Sequence, residues 1–443
     1  MPDENYILSR AEKLTKKLGN KVYKTAEKYV YYNAQQEVGD LGISLPKNFV
    51  MMKPGVGWAS RAVNTLADRL NFDGFINDSF DFNSLLDDTG ARKVLNKSIQ
   101  DALIAGCSFI GIEYVNESVK LTPFTALEAT GEIDTRTGLL VDGIAVLEWE
   151  EYDDDDWRWW GKKPKTIALF EPGFTAVIYK GKQIIAYAEN PTGRPLLHVI
   201  THRQSADRPF GKSRISNTVR RIVDEVGRLK VRYEIAAEFY STPQRYILGL
   251  SEGQLAEGNL SSELGKIWGL TADEDGEKPT VGQLAQMSIN QFSDQKKDLA
   301  RDFCAETALT LRNLGYETAN PTSAESLSAM SDDLLLEAQE CQRELGKEFK
   351  DVIVSMRMLL DRSNTISSRV EDIEPVWMPI SQLNVGAAGD AIYKLMQIMP
   401  QLKDSPATYR MLGLTVKETN EVLQKAKRAI SSQFMATEGG ENE

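Results

Sequence analysis

A chain of 443 residues with 52 Lys and Arg against 64 Asp and Glu carries a net charge of −12 at neutral pH. That excludes a generally basic nucleic-acid clamp and leaves room only for local basic surfaces. With 42% hydrophobic and 26% charged residues, the composition is that of a folded globular protein of roughly two to four domains, not a disordered chain. No apolar run approaches the roughly eighteen residues of a membrane span, and the opening MPDENYILSR has no signal-peptide pattern, so a cytosolic origin is expected.

The N-terminal third reads as α+β. Helices are predicted over Lys21 to Gln36, dense in tyrosine (Tyr23, Tyr29, Tyr31, Tyr32), over Trp58 to Leu70 and over Ala91 to Ala105. Strands follow at Cys107 to Val115, Ile144 to Trp149, Lys165 to Phe170, Thr175 to Tyr179, Gln183 to Tyr187 and Leu196 to Thr201, each rich in β-branched and aromatic residues. Cys107, Cys304 and Cys341 lie far apart in apolar runs, which points to buried free thiols and not to a disulfide framework or a zinc site.

From Ser213 to Tyr240 an apolar stripe (Ile215, Val219, Ile222, Val226, Leu229, Tyr233, Ala237) predicts a helix of roughly 40 Å. Eight basic side chains against two acids between Arg208 and Arg232 add a basic face. Thr242 to Gln286 changes to seven acids against three bases with frequent glycines, and Arg245 to Leu250 and Lys266 to Leu270 read as short strands of a small α/β insert. Helix is expected again from Ser288 to Leu314, through Phe292, Leu299, Phe303, Leu311 and Leu314, until Gly315 ends it. Gly315 to Pro321 cannot continue it, because Pro321 pushes Asn320 out of the α region. Thr322 to Glu325 is a capping box, and the stripe from Leu327 through Leu334, Cys341, Phe349 and Met356 to Leu360 predicts about 39 residues of helix, with Gly346 as its kink. A Pro-interrupted connector (Glu374 to Pro379) leads to shorter helices over Ala387 to Met399 and Val416 to Ile430, the second opened by a Thr415/Glu418 capping box. Thr437 to Glu443 reads as a disordered tail.

Chemistry has few candidates. Ala206 to Ser213 (ADRPFGKS) matches a loosened phosphate loop between a strand and a helix, the basis of an alternative reading as a nucleotide hydrolase using Lys212 and Ser213. Ala206 lacks glycine's freedom, however, and Pro209 has no N–H for a phosphate. His198 and His202 sit on a strand without an HExxH glutamate, so a structural role is expected and no metal or cofactor is assigned. The carboxylates Asp153 to Asp156 suit either magnesium, as in a nuclease, or a solvated loop, and the flanking Trp149, Trp157, Trp159 and Trp160 suggest a partner-facing surface.

The order and spacing of Arg61 to Leu70 with Gly74-Phe75, Asp101 to Gly106, Phe210 to Ser213, Ala237 to Arg245 and Asn320 to Glu325 resemble a portal protein. This is the head-to-tail connector of tailed double-stranded DNA bacteriophages, here of the branch with long non-contractile tails. The resemblance spans about Tyr29 to Asp361 and implies a non-enzymatic α+β protein. It implies an N-terminal wing (1–207), a first stem helix (208–241), a clip (242–286), a second stem helix (287–314) and a tunnel loop (315–322). A long wing helix with its connector (323–380), a short crown (381–435) and the tail (436–443) complete it. It further implies a ring, of twelve subunits in such portals, at one capsid vertex of a virion assembled in the host cytoplasm. Double-stranded DNA would pass through it without sequence specificity. Terminase large subunit, a head-completion adaptor, and major capsid and scaffolding proteins would be partners. Tyr316, Glu317, Thr318 and Asn320 would be tunnel-loop contacts; Arg220, Arg221, Arg228, Lys296, Lys297 and Arg301 are candidates for basic rings or for pairing with acids of a neighbouring subunit.

Overall fold

In the computed structural model the described residues are 2–37, 54–115, 117–150, 163–241, 245–248, 280–283, 289–316, 332–380 and 385–438. The chain opens with α1 (Glu4–Tyr32), a single helix that begins well before the expected Lys21. Ile7, Ala11, Leu14, Leu18, Val22 and Ala26 form its buried stripe at spacings of three and four, the pattern that drives an amphipathic helix onto a sheet. After α2 (Trp58–Ala67), β1 (Phe72–Ile76), α3 (Phe82–Thr89) and α4 (Ala91–Ala105) come β2 (Cys107–Val115), β3 (Ser118–Thr125), β4 (Ala129–Ile133) and β5 (Leu140–Trp149). Then follow β6 (Pro164–Glu171), β7 (Phe174–Tyr179), β8 (Gln183–Glu189) and β9 (Leu197–Thr201).

Two antiparallel sheets result, ordered β3-β2-β9 and β4-β5-β6-β7-β8. The first half of α1 lies on the larger sheet, where Ile7, Ala11, Leu14 and Leu18 share a core with Ile144, Val146, Ile167, Leu169, Phe174, Ala176 and Ile178. Trp149, expected on a partner-facing surface, packs against that core instead; at the end of β5 its ring is worth more in contact with apolar groups than in water. Residues 151–162, with Asp153 to Asp156 and the other three tryptophans, lie outside the described residues.

The long helix α7 (Asp332–Leu360), numbered after α5 (Asn217–Ser241) and α6 (Asn290–Thr307), buries Leu334, Ala338, Cys341, Leu345, Phe349, Val352 and Met356 as the stripe predicts. Its expected first turns and their capping box fall outside the described residues. Gly346 does not interrupt it. A Cβ there would sit 2.5 Å from Pro375 Cγ, so glycine admits β12 (Glu374–Trp377) against the helix. The expected Pro-interrupted connector is therefore a strand, antiparallel to β1 across some 300 residues with Phe72 opposite Trp377. Pro375 is tolerated because a two-stranded pair leaves an edge on which no N–H is required. Phe72 stands edge-on to Phe75, Phe349 and Trp377 at 5.1–5.5 Å. The chain ends in α8 (Val385–Ile398), α9 (Pro406–Met411) and α10 (Val416–Glu438). Thr415 and Glu418 form the expected capping box, and α10 runs on to Glu438, into the segment expected to be disordered.

By contacts the chain divides into two units, 1–34 with 57–217 and 307–443, and 35–56 with 218–306. The second holds most of α5, the hairpin β10 (Arg245–Leu248) with β11 (Thr280–Gln283), and nearly all of α6. Tyr233 meets Phe292 edge-on at 6.0 Å, and Lys230 Nζ donates to Pro54 O at 2.6 Å. Lys266 to Leu270 lies outside the described residues. Two further boundaries, those of α5 and α6, differ from expectation. α5 starts at Asn217 and not at Ser213, because the intervening groups bond elsewhere: Arg214 N donates to Leu103 O and Ile215 N to Ser213 Oγ. α6 does not reach Leu314. Ala308 turns to φ +52°, Thr310 recaps a 3₁₀ turn over Leu311–Leu314 with Asn313, and Gly315 ends that turn at φ +82°.

Candidate functional site

The loop at Ala206 to Ser213 is the chain's best imitation of a phosphate cradle, and three of its N–H groups are engaged within the chain. A cradle needs backbone N–H groups pointing into open space. Here Arg208 N donates to Ser205 O, Gly211 N to Arg208 O at 2.9 Å and Lys212 N to His202 O at 2.7 Å. Ser213 Oγ donates to Ile104 O at 2.5 Å, and the helix starts four residues further on. Gly211, at φ +69°, passes so close to the strand entry that a Cβ would lie 2.4 Å from Gly106 O. The loop is thus a floor laid against the end of α4. Phe210 is covered by the Lys21 ammonium 3.9 Å from its ring centroid, a cation–π contact that ties α1 to it.

His202 sits in this floor with Nδ1 2.6 Å from Lys212 O. Burial pushes both His202 and His198 down to about 4, so both are neutral imidazoles near pH 7, and the Nδ1 of His202 donates. Cys107, Cys304 and Cys341 are free and buried, their thiols pushed up by burial to about 12, 11 and 12; none has the character of a nucleophile. Among the described residues no three His, Cys, Asp or Glu side chains gather to hold a metal ion.

Just after the floor, Arg214 is 7% exposed. Its Nε donates to Ala62 O at 2.8 Å, one terminal nitrogen to Thr307 O at 2.6 Å and the other to the Glu337 carboxylate. Arg203 reaches the same carboxylate at 3.2 Å. One guanidinium thereby joins the entry to α5, the exit of α6, α2 and α7. Arg61 adds a bond to Asn313 O at 2.8 Å. Sequence reading counted Arg214 among the basic face residues; it turns inward because the helix starts only at Asn217.

Of the six basic candidates, Arg221 and Lys297 are exposed, as is Arg301, while Arg220, Arg228 and Lys296 are half-buried. Lys297 lies 3.7 Å from Asp294 and Arg301 2.5 Å from Asp298, one turn back on the same helix. Tyr316 is half-buried; Glu317, Thr318 and Asn320 lie outside the described residues.

A cleft of about 560 Å³ was not foreseen. Its walls include Arg194 and His198 on one side and Glu344, Glu348 and Asp351, on successive turns of α7, on the other. Glu348 accepts from Thr201 N at 2.9 Å and from Thr201 Oγ1. Burial raises all three carboxylates, Glu348 to about 8. Their spacing of four and three beside the apolar stripe was the available signal.

The described residues thus form an α+β body interrupted by a helix–hairpin–helix unit. Residues 144–405 match the family model described as phage portal protein, SPP1 Gp6-like. The portal protein of Mycobacterium phage L5 is 22% identical over 418 residues, 88% of this chain and 82% of that protein. The portal protein of Mycobacterium phage D29 is 22% identical over 388 residues, 82% and 77%. Among solved structures, the neck of a native gene transfer agent particle computed with C12 symmetry aligns at a TM-score of 0.46 and 13% identity, covering 85% of this chain and 96% of that one. A virion of a native gene transfer agent aligns at 0.47 and 12%, covering 88% and 99%. The family match covers more than half of the sequence, and the chain belongs to the phage portal protein family.

Proposed function

We propose that this chain assembles into a ring, of twelve copies by its resemblance, at one vertex of a phage capsid. Double-stranded DNA is packaged and ejected through the ring without sequence readout, and terminase large subunit and a head-completion adaptor dock on it, with capsid and scaffolding proteins around it. The observation that carries this reading is the family match over residues 144–405, which spans the whole inserted unit between Thr218 and Glu306. In this reading the inserted unit is stem and clip, the α+β body is wing, α8 to α10 are crown, and Tyr316 to Asn320 belong to the tunnel loop.

Charge supports a conduit. Neutralising many phosphates creates affinity that resists sliding, and a chain of net charge −12 avoids that grip. Of the six candidates, Lys297 and Arg301 are further muted by Asp294 and Asp298, which leaves Arg221 as the exposed one proposed to meet passing phosphates. The nucleotide-hydrolase alternative finds no support in a loop whose Arg208, Gly211 and Lys212 amides donate within the chain.

The test is the mass of the purified 49.5 kDa chain by light scattering, with negative-stain images of the same sample. About 590 kDa, twelve chains of that mass, and a central hole wide enough for a duplex are expected, since heterologous contacts that repeat one rotation close into a ring. A persistent monomer or dimer without a hole refutes the proposal.

A further inference from the structure

The cleft of about 560 Å³ plays no part in the function proposed above. It lies wholly within the first unit, between residues 134–141, β9 and α7, and its volume is that of a small-molecule site, about 300–1,000 Å³. Four carboxylates line it (Asp134, Glu344, Glu348 and Asp351) against two cations, Arg194 and Lys347. Two negative charges are therefore uncompensated when all are ionised. Asp134 closes its own turn through Arg136 N and Thr137 Oγ1, which leaves the row on α7 to meet a ligand. Burial dominates all three members of that row and raises each, Glu348 to about 8, as expected of carboxylates with too little positive charge nearby.

At a rise of 1.5 Å per residue, Glu344, Glu348 and Asp351 stand about 6 and 4.5 Å apart along α7. That is a row and not a cage, and no metal-holding group gathers among the described residues. Ammonium groups joined by three or four methylenes are about 5–6 Å apart when extended, each bond being near 1.5 Å. Leu139 and Val141, 38% and 47% exposed, and Pro195 give the cleft apolar wall for the methylenes. His198 Nε2, on the same wall, is buried and has no hydrogen-bond partner. In a neutral imidazole with its proton on Nδ1 that nitrogen accepts, and an ammonium group brings the missing donor.

We infer that the cleft binds a short aliphatic diamine, its ammonium groups seated along Glu344, Glu348 and Asp351 and against His198 Nε2. A dication brings the charge of the wall to zero, and its methylene spacer matches the rise between successive turns of α7.

The test is calorimetric titration of the full chain with 1,4-diaminobutane, and with 1-aminobutane and magnesium chloride for comparison. The diamine should bind with a Kd below about 1 mM and about tenfold or more tightly than the monoamine. Binding should tighten about tenfold from about pH 6.5 to about pH 7.5, because the ammonium displaces the proton that Glu348 holds up to about pH 8. Glu348→Gln and Asp351→Asn should each weaken binding about tenfold, whereas Glu12→Gln, exposed on α1, should not. Amide exchange of the wild-type chain over 340–351 should slow when the diamine is added; this needs no variant and decides the matter if both variants misfold. No saturable binding up to about 10 mM, or affinity retained in both cleft variants, overturns the inference. Equal affinity for the monoamine overturns it too, in favour of a lone ammonium such as a partner's lysine side chain. Displacement by an equal concentration of magnesium marks a general attraction to an acidic chain and likewise overturns it. None of these outcomes depends on ring formation, which the mass measurement tests separately.

Discussion

Removing the Arg214 guanidinium should loosen the junction at which α5 leaves and α6 returns. In Arg214→Met the apolar stem is retained, but Ala62 O and Thr307 O lose donors and Glu337 keeps only Arg203, 3.2 Å away and 46% exposed in its side chain. Breaking a buried ion pair by removing one partner costs about 3–5 kcal/mol. The surviving Arg203 lowers the burden on Glu337, and each carbonyl left without its donor adds about 1 kcal/mol or more, so a loss near 3 kcal/mol is expected. Native-state hydrogen exchange of the unassembled chain reads it: amides of α2 and of α7 around Glu337 should open about a hundredfold more often. Glu337→Leu alone should also destabilise, by stranding the arginine, and the double variant should cost clearly less than the two single changes together. A single-variant effect below about 1 kcal/mol, or strict additivity, would show that the junction rests on packing and not on this pair.

Glu348 should make stability fall with rising pH. Its folded value of about 8 lies above the unfolded carboxylate value of 4.5, so the folded state holds the proton more tightly and the penalty grows from about pH 4.5 to about pH 8. The full shift corresponds to about 5 kcal/mol, but water reaches the cleft wall, and about 2 kcal/mol is expected. Glu348→Gln should therefore raise the urea midpoint at pH 9 and leave it nearly unchanged at pH 5; the same gain at both would refute the assignment. Gly346→Ala gains about 1 kcal/mol of helix propensity, yet its methyl would sit 2.5 Å from Pro375 Cγ. The proline ring has little room to yield, so a net loss of about 1–2 kcal/mol and a lower Tm are expected, and a higher Tm would contradict the packing described. Calorimetric titration with magnesium–ATP should give no heat of binding for wild type or Lys212→Ala. Binding that disappears in the variant would mean the floor loop opens.

What was legible in the sequence was whatever local rules govern. α4 was placed to the residue, α10 by its capping box, and the strands β2 and β5 to β9 within a few residues, because periodicity, caps and β-branched runs act over neighbouring positions. The stripe that makes α1 a single helix from Glu4 is also legible in Ile7, Ala11, Leu14 and Leu18. Tertiary structure alone decided the rest. Glu374 to Trp377 becomes a strand only because Phe72 and Phe349 offer Trp377 an aromatic pocket from two distant segments. Gly346 is a point of contact instead of a hinge for the same reason. Arg214 turns inward because Glu337 and two carbonyls converge on it. In each case the free energy comes from burying groups far apart in the chain, and no window of neighbouring residues contains that information.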